Sequence, residues 1–312
     1  MGMVGRLQRW VVAGVLLMLV LVWAWSAVSG WSLLARCAVL AGVTMPHAPV
    51  LALEMGLMCG VRWRQGLPLP SMASCLWAWA HEVVSGWRVF GWRQPFAEFQ
   101  VADGAGVPGR TGVVLVHGYV CNRALWTPWL KALRARQVPC SARSHGPVFG
   151  SIDSWVSDID AAVRAMTQAT GRPPLVVAHS MGGLAVRAWL QAAGATPEVA
   201  RVVTVAPPPR GTWLAQLGLS ANARQMREGS AWLQALALRE SAAQRVCFHC
   251  VYSDCDNVVF PAEVACLPGA THQLVPGYAH VHLLSAPVVL ATVLDLLAEA
   301  DRRYQVASCP GL

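Results

Sequence analysis

Charge is scarce in this chain, and lysine is almost absent. Only 13% of its 312 residues are charged, against the roughly 25% that is usual in a soluble domain. The formal net charge is +8, yet Lys131 is the sole lysine and the arginines are scattered. A nucleic-acid-binding protein gathers its positive charge into runs or onto one face. The absence of such runs argues against nucleic acid as a partner, and attraction to membrane lipid is the milder interpretation.

A long apolar stretch without charge lies near the N-terminus. No acidic or basic residue occurs between Arg9 and Arg36, and most of this interval is Val, Leu, Ala and Trp. A helix of this length crosses the hydrocarbon core of a bilayer, which is about 30 Å thick. We therefore expect residues 1–65 to form a membrane anchor of one or two apolar helices. A cleaved signal peptide is the alternative, since Arg6 precedes the apolar run and small residues near 26–29 follow it.

A second apolar stretch, at 37–59, is interrupted by two prolines and Glu54. It could form a second span, a re-entrant piece or an interfacial segment. Arg62 and Arg64 follow it, so a two-span hairpin would place both of its basic flanks in the cytoplasm. With a single span the rest of the chain would lie outside. We expect anchoring in a bacterial inner membrane, and the sequence leaves the sidedness open.

Residues 66–94 are expected to form a membrane-proximal helix or linker. Within 71–90 the apolar residues lie at mixed spacing, and the only charged or imidazole side chains are His81, Glu82 and Arg88. We interpret these three as polar heads that reach water from a helix lying at the membrane interface.

The most informative segment is the nonapeptide Leu-Val-Val-Ala-His-Ser-Met-Gly-Gly at 175–183. An apolar run followed by a serine among small residues is typical of the strained strand-to-helix turn that presents a nucleophile. The residues two before and two after Ser180 must be small, because the strand and helix backbones nearly touch there. Ala178 and Gly182 meet that requirement. The plainer interpretation is a serine in an ordinary glycine-rich turn.

A second buried-strand pattern, Gly-Val-Val-Leu-Val-His-Gly-Tyr, ends about sixty residues before the serine. Acyl transfer passes through a tetrahedral intermediate, whose negative oxygen needs two donors that are already oriented. We assign these oxyanion-hole donors to the backbone N–H groups of Tyr119 and Met181. The residues expected to support the serine turn and the oxyanion loop are His117, Gly118, His179 and Gly182.

The acid should follow the serine in a loop after a later strand. A predicted strand at 245–252 runs into two candidates, Asp254 and Asp256. We prefer Asp256, because its Asp-x-x-Val-x-Pro continuation supplies an apolar plug and a rigid turn. Asp254 is better suited to capping the turn.

The base should come last, in the segment Gly-Tyr-Ala-His-Val-His-Leu-Leu at 277–284. His280 is preferred over His282, because the Leu283-Leu284 pair that begins the buried face of the last helix starts three residues after His280. His282 is then free to line the pocket. In this scheme His280 takes the proton from Ser180, while Asp256 orients the imidazole and stabilises its cation. The chemistry requires neither a metal nor an organic cofactor.

These motifs resemble those of the α/β-hydrolase superfamily, and especially bacterial triacylglycerol lipases and esterases. The segment at 117–123 resembles the oxyanion loop of membrane-associated bacterial hydrolases. Pro-Pro-Pro-Arg-Gly-Thr at 207–212 resembles the Pro-His-x-Gly-Thr turn of lipases, and 225–233 resembles their Met-x-x-Gly-Ser segment. The resemblance covers about residues 95–295. It implies a serine carboxylic-ester hydrolase that acts on esters or lipids through an acyl-enzyme on Ser180.

The rest of the chain favours the same fold. Apolar residues recur at helical spacing at 122–138 and 151–168, between the strand patterns. This alternation predicts an α/β domain at 95–312, a mostly parallel sheet with helices on both faces, as in the α/β-hydrolase fold. Residues 211–238 are expected to form a small cap over the substrate.

Two rival classes of function stay open. One is an enzyme of the same fold with another acyl donor or acceptor, such as a thioesterase, an acyltransferase or a polyester depolymerase, since fold does not determine substrate. The other is a membrane-tethered binding protein that performs no chemistry. Among the ten cysteines, Cys255 and Cys266 flank the acid loop and could form a disulfide, although buried free thiols are favoured.

Overall fold

The computed structural model describes residues 2–193 and 199–308, and its core is one sheet of six parallel strands. The strands are β1 (Val113–Val116), β2 (Cys140–Ala142), β3 (Leu175–His179), β4 (Arg201–Val205), β5 (Phe248–Tyr252) and β6 (Thr271–Leu274). Their order is β2-β1-β3-β4-β5-β6, and every neighbouring pair is parallel. β1 and β3 are buried at every position, as a sheet covered on both faces requires.

The α-helices of the described residues are α1 (Met3–Val28), α2 (Leu33–Thr44), α3 (Ala48–Arg64), α4 (Met72–Gly86), α5 (Gln94–Phe96), α6 (Thr127–Ala135), α7 (Val156–Thr170), α8 (Met181–Ala192), α9 (Ala221–Gln225), α10 (Ala231–Arg239), α11 (Ala242–Val246) and α12 (Pro287–Ser308). A seven-residue π-helix, Trp87–Arg93, joins α4 to α5. One apolar cluster packs α6 and α12 against the sheet, and a second packs α7 and α8. Because Val113 and Val114 belong to different clusters, these helices lie on opposite faces of the sheet.

The predicted α/β class with a parallel sheet is confirmed. Each of the two predicted helices that precede the serine turn begins as a 3-10 turn, at Arg123–Trp126 and Ile152–Trp155. The last helix begins later than expected. Leu283 and Leu284 lie in a separate 3-10 turn, and α12 starts only at Pro287.

The N-terminal helices precede the sheet along the chain. By length and composition α1 could cross a membrane, and a signal sequence near the N-terminus would pass the same test. The bent pair α2 and α3 would also pass it if the two helices were counted as one span. The first turns of α1 nevertheless contact the rest of the protein. Gln8 is buried and donates to the side chain of Gln94 at 3.1 Å.

The cap segment consists of short helical pieces. A 3-10 turn at Trp213–Leu217 is followed by α9 and α10, after which α11 leads into β5. The nine cysteines among the described residues are all free, so the Cys255–Cys266 disulfide is not formed.

Candidate active site

Ser180 lies at the sharp turn between β3 and α8. Its φ of +54° and ψ of −129° are a conformation that L-residues avoid, so the backbone is strained at this residue. Its N–H donates to the carbonyl of Val205 at 2.9 Å, which ties the turn to the end of β4. This is the backbone geometry expected of a nucleophile elbow.

The helix after the serine passes very close to the strand before the oxyanion loop. A Cβ atom on Gly182 would lie 2.4 Å from the carbonyl oxygen of His117 and 2.9 Å from that of Val116. A Cβ atom on Gly118 would lie 2.9 Å from the Cβ of Ser180. Glycine is therefore required at both positions, and the predicted oxyanion loop is pressed directly against Ser180.

The two backbone amides predicted to form the oxyanion hole have no acceptor in the described part of the protein. Met181 is the first residue of α8, where N–H groups lack a partner within the helix. Tyr119 follows β1 and donates through its backbone to no described group. Both amides are thus available to a ligand oxygen.

His117 holds the oxyanion loop in shape. Its Nδ1 donates to the carbonyl of Gly118 at 2.9 Å, and its Nε2 accepts from the backbone N–H of His145 at 2.8 Å. Burial, with a smaller effect of His145, lowers the pKa of His117 to about 3, so the ring is neutral near pH 7. A neutral ring fits these two bonds, one donated and one accepted.

Asp256 and His280 contact each other in the interior. The Nδ1 atom of His280 lies 3.0 Å from each carboxylate oxygen of Asp256. Asp256 also accepts from the backbone N–H groups of Val258 and Val259 at 2.9 and 2.8 Å, which fixes its orientation. Burial opposes a positive charge on His280, but Asp256 outweighs it, so the pKa of His280 is raised above its usual 6.5.

His280 lies beside the nucleophile turn without being hydrogen-bonded to the serine. His179 donates from Nε2 to the carbonyl of His280 at 3.3 Å, and the two rings are 4.7 Å apart between centroids. Among the described residues, the hydroxyl of Ser180 makes no hydrogen bond to His280. The structure therefore joins Asp256 to His280. It also brings His280 into contact with His179, the residue before Ser180. Contacts to a nucleophile are often long in an enzyme without substrate.

The two rejected candidates have other contacts. Asp254 accepts from the backbone N–H of Gly277 at 2.8 Å, so it ties the acid loop to the base loop rather than capping its own turn. His282 does not contact either aspartate and stacks between His81 and Tyr278. In the described part of the chain, no three His, Cys, Asp or Glu side chains are grouped as metal ligands would be.

Sequence reasoning missed two carboxylates next to this site. Glu82 was expected to reach water from an interfacial helix, but it is only 3% exposed and points at the base loop. Glu54, on α3, bonds to the side chain of Asn257, the residue after the acid. The available signal was that each is an isolated acid in an apolar segment, where burial of a charge is costly enough to mark a function.

The profile of the alpha/beta hydrolase family matches residues 113–308, from the first strand to the last helix. The chain belongs to this family. Comparison with curated proteins gives no match. Glu54 and Glu82 both lie before the region that the family profile covers.

Among solved structures, this hydrolase resembles a lipase from Bacillus licheniformis, BlEst2 in its mature form. The two have a TM-score of 0.55 and 16% identity, over 62% of this chain and 96% of the lipase. Lipase B of Aspergillus fumigatus is similar with a TM-score of 0.54 and 18% identity, over 63% of this chain and 54% of that one. At such identities the likeness shows the shared fold.

Proposed function

We propose that this alpha/beta hydrolase is a serine carboxylic-ester hydrolase of the lipase or esterase type. The observation that carries the proposal is the buried contact between Asp256 and His280, beside a serine in a strained turn. Burial, an oriented acid and two unpartnered amides are the parts that acyl transfer needs. A buried acid in contact with a histidine whose pKa is shifted is typical of a functional site.

In the proposed mechanism Ser180 attacks the ester carbonyl while His280 removes the hydroxyl proton. The oxygen of the tetrahedral intermediate accepts from the N–H groups of Tyr119 and Met181. His280 then gives the proton to the leaving alcohol, and the bond between the acyl carbon and the alcohol oxygen breaks to leave an acyl-serine. Water attacks that acyl-serine with His280 as base, which releases the carboxylic acid and restores the serine. Asp256 keeps the imidazole in the tautomer with a proton on Nδ1.

We propose that residues 1–65 anchor the enzyme in a bacterial inner membrane and that 66–94 lie next to the membrane, before the hydrolase domain at 95–312. Support comes from the length and apolarity of α1 and from its largely exposed flank. Membrane lipids would then be the nearest esters. Release of the full-length protein by carbonate washing, or its recovery without residues 1–29, would contradict the anchor.

A fluorophosphonate probe tests the core of the proposal. Wild-type protein should be labelled and Ser180→Ala should not. Absence of labelling in folded wild-type protein would instead favour a binding protein. Turnover of p-nitrophenyl esters and matched acyl-thioesters should be measured in parallel, since faster thioester cleavage would make the enzyme a thioesterase.

A further inference from the structure

The N-terminal helices reach into the candidate active site through Glu82. This residue of α4 accepts from the backbone N–H of Val281 at 3.0 Å and from that of His282 at 2.8 Å. Both amides belong to the loop that carries His280. A carboxylate that accepts two adjacent amides fixes the path of that loop, and with it the position from which the imidazole extends.

A second connection runs from α3 through Glu54. Its carboxylate accepts from the side-chain N–H of Asn257 at 2.7 Å, and Asn257 accepts in turn from the backbone N–H of His280 at 3.2 Å. Asn257 is fully buried and follows Asp256 directly. This chain of bonds therefore spans the loops of both the acid and the base, which come from different strands.

The carboxylates of Glu54 and Glu82 are held by hydrogen bonds rather than by ion pairs. Among the described residues, neither Glu54 nor Glu82 forms a salt bridge, whereas the buried Glu240 is paired with Arg187 at 2.6 Å. A buried carboxylate such as Glu82 that lacks a cation is strongly disfavoured unless hydrogen bonds and nearby charge offset its burial. Burial raises the pKa of Glu82 to about 7, and His280 is among the groups that lower it. Conversely, Glu82 and Glu54 both favour the charged form of His280.

We propose that Glu82 and Glu54 are positioning residues, through which helices α3 and α4 hold His280 against Asp256 and stabilise its imidazolium. The inference rests on the proposed ester hydrolysis. It extends the catalytic unit beyond the segment that the family profile matches, because both residues precede Val113. Helices α3 and α4 are then a part of the enzyme that sets its rate, in addition to any role in anchoring it.

The test is Glu82→Gln in the full-length protein, assayed in detergent with p-nitrophenyl esters. The amide keeps the shape but loses the charge and directs one N–H group at the loop amides. We expect kcat to fall by about tenfold or more with KM nearly unchanged, since the substrate contacts are not altered. Without the negative charge the pKa of His280 falls, so the acid limb of the kcat/KM profile should move to lower pH.

Glu98→Gln is the matched control. Glu98 is also buried, precedes the family segment, and accepts from the Ser144 hydroxyl at 2.7 Å and from the backbone N–H of Gly2 at 3.2 Å. It makes no hydrogen bond to the loops that carry Asp256 and His280, so its variant should leave the acid limb in place. A shift of the limb in both variants would mean that general loosening causes it, and would overturn the inference.

The outcomes separate the two proposals. If Glu82→Gln hydrolyses esters with wild-type kcat and an unmoved acid limb, the positioning role is wrong while ester hydrolysis stands. If wild-type protein neither turns over esters nor reacts with a fluorophosphonate, the proposed function fails first. Should Glu82→Gln not fold, Glu54→Gln supplies the same readouts, and an unchanged kcat and pH profile there would refute the role of the carboxylates.

Discussion

Replacing Gly182 by alanine tests the close approach that defines the nucleophile turn. The new Cβ atom would lie 2.4 Å from the carbonyl oxygen of His117 and 2.9 Å from that of Val116. Ordinary carbon–oxygen contacts are about 3.3 Å or longer, so helix and strand must separate by roughly 1 Å. Both obstacles are backbone atoms, and no side-chain rotation can relieve them. The displaced helix carries Met181, one of the two proposed oxyanion donors.

The expected magnitudes follow from that displacement. A misplacement of about 1 Å at a reacting site costs roughly a hundredfold in rate, and overpacking costs about 1–3 kcal/mol of unfolding free energy. We therefore expect Gly182→Ala to lower kcat/KM for a p-nitrophenyl ester about a hundredfold. Its Tm, measured by circular dichroism in detergent, should also fall. Fluorophosphonate labelling of Ser180 should slow in proportion to kcat/KM.

Gly183→Ala is the control in the same helical turn. Its Cβ would meet the methyl carbon of Thr204 at 3.1 Å and the Cβ of Pro207 at 3.2 Å. These are side-chain atoms, which can give by a few tenths of an ångström, and alanine favours the helix by about 1 kcal/mol. We expect activity within severalfold of wild type. Equal activity and Tm for Gly182→Ala and Gly183→Ala would refute the reasoning about the turn.

Three further predictions concern the base and the fold. His280→Ala should abolish ester turnover and His282→Ala should retain most of it, whereas the reverse result would transfer the role of base. Because the base must be neutral and the pKa of His280 is raised, kcat/KM should rise with pH through a midpoint above 6.5, and a midpoint below it would contradict the assigned electrostatics. Arg187→Met leaves the carboxylate of Glu240 buried without its cation, so thermal unfolding in detergent should show a loss of about 3–5 kcal/mol; an unchanged Tm would contradict that burial cost.

Much of the fold and part of the site could be predicted from local sequence. The serine turn is readable because its steric demand falls on contiguous residues, with Gly182 two positions after Ser180. The parallel sheet is readable because strands buried on both faces must be continuously apolar, as in Leu175–His179. The exact start of the last helix was predicted wrongly, since leucines pack equally well in the 3-10 turn that precedes Pro287.

The sequence by itself determined the class of the fold, the strained serine and the order in which acid and base candidates follow it. Such features depend on neighbours in the chain, and periodicity and residue size report on neighbours directly. Only the tertiary structure decided that Asp256, rather than Asp254, meets His280, and that Glu54 and Glu82 close around both loops. The contacts of the two glutamates join residues about 200 positions apart. No local pattern encodes them, because they arise only when helices that look like a membrane segment fold back onto the sheet.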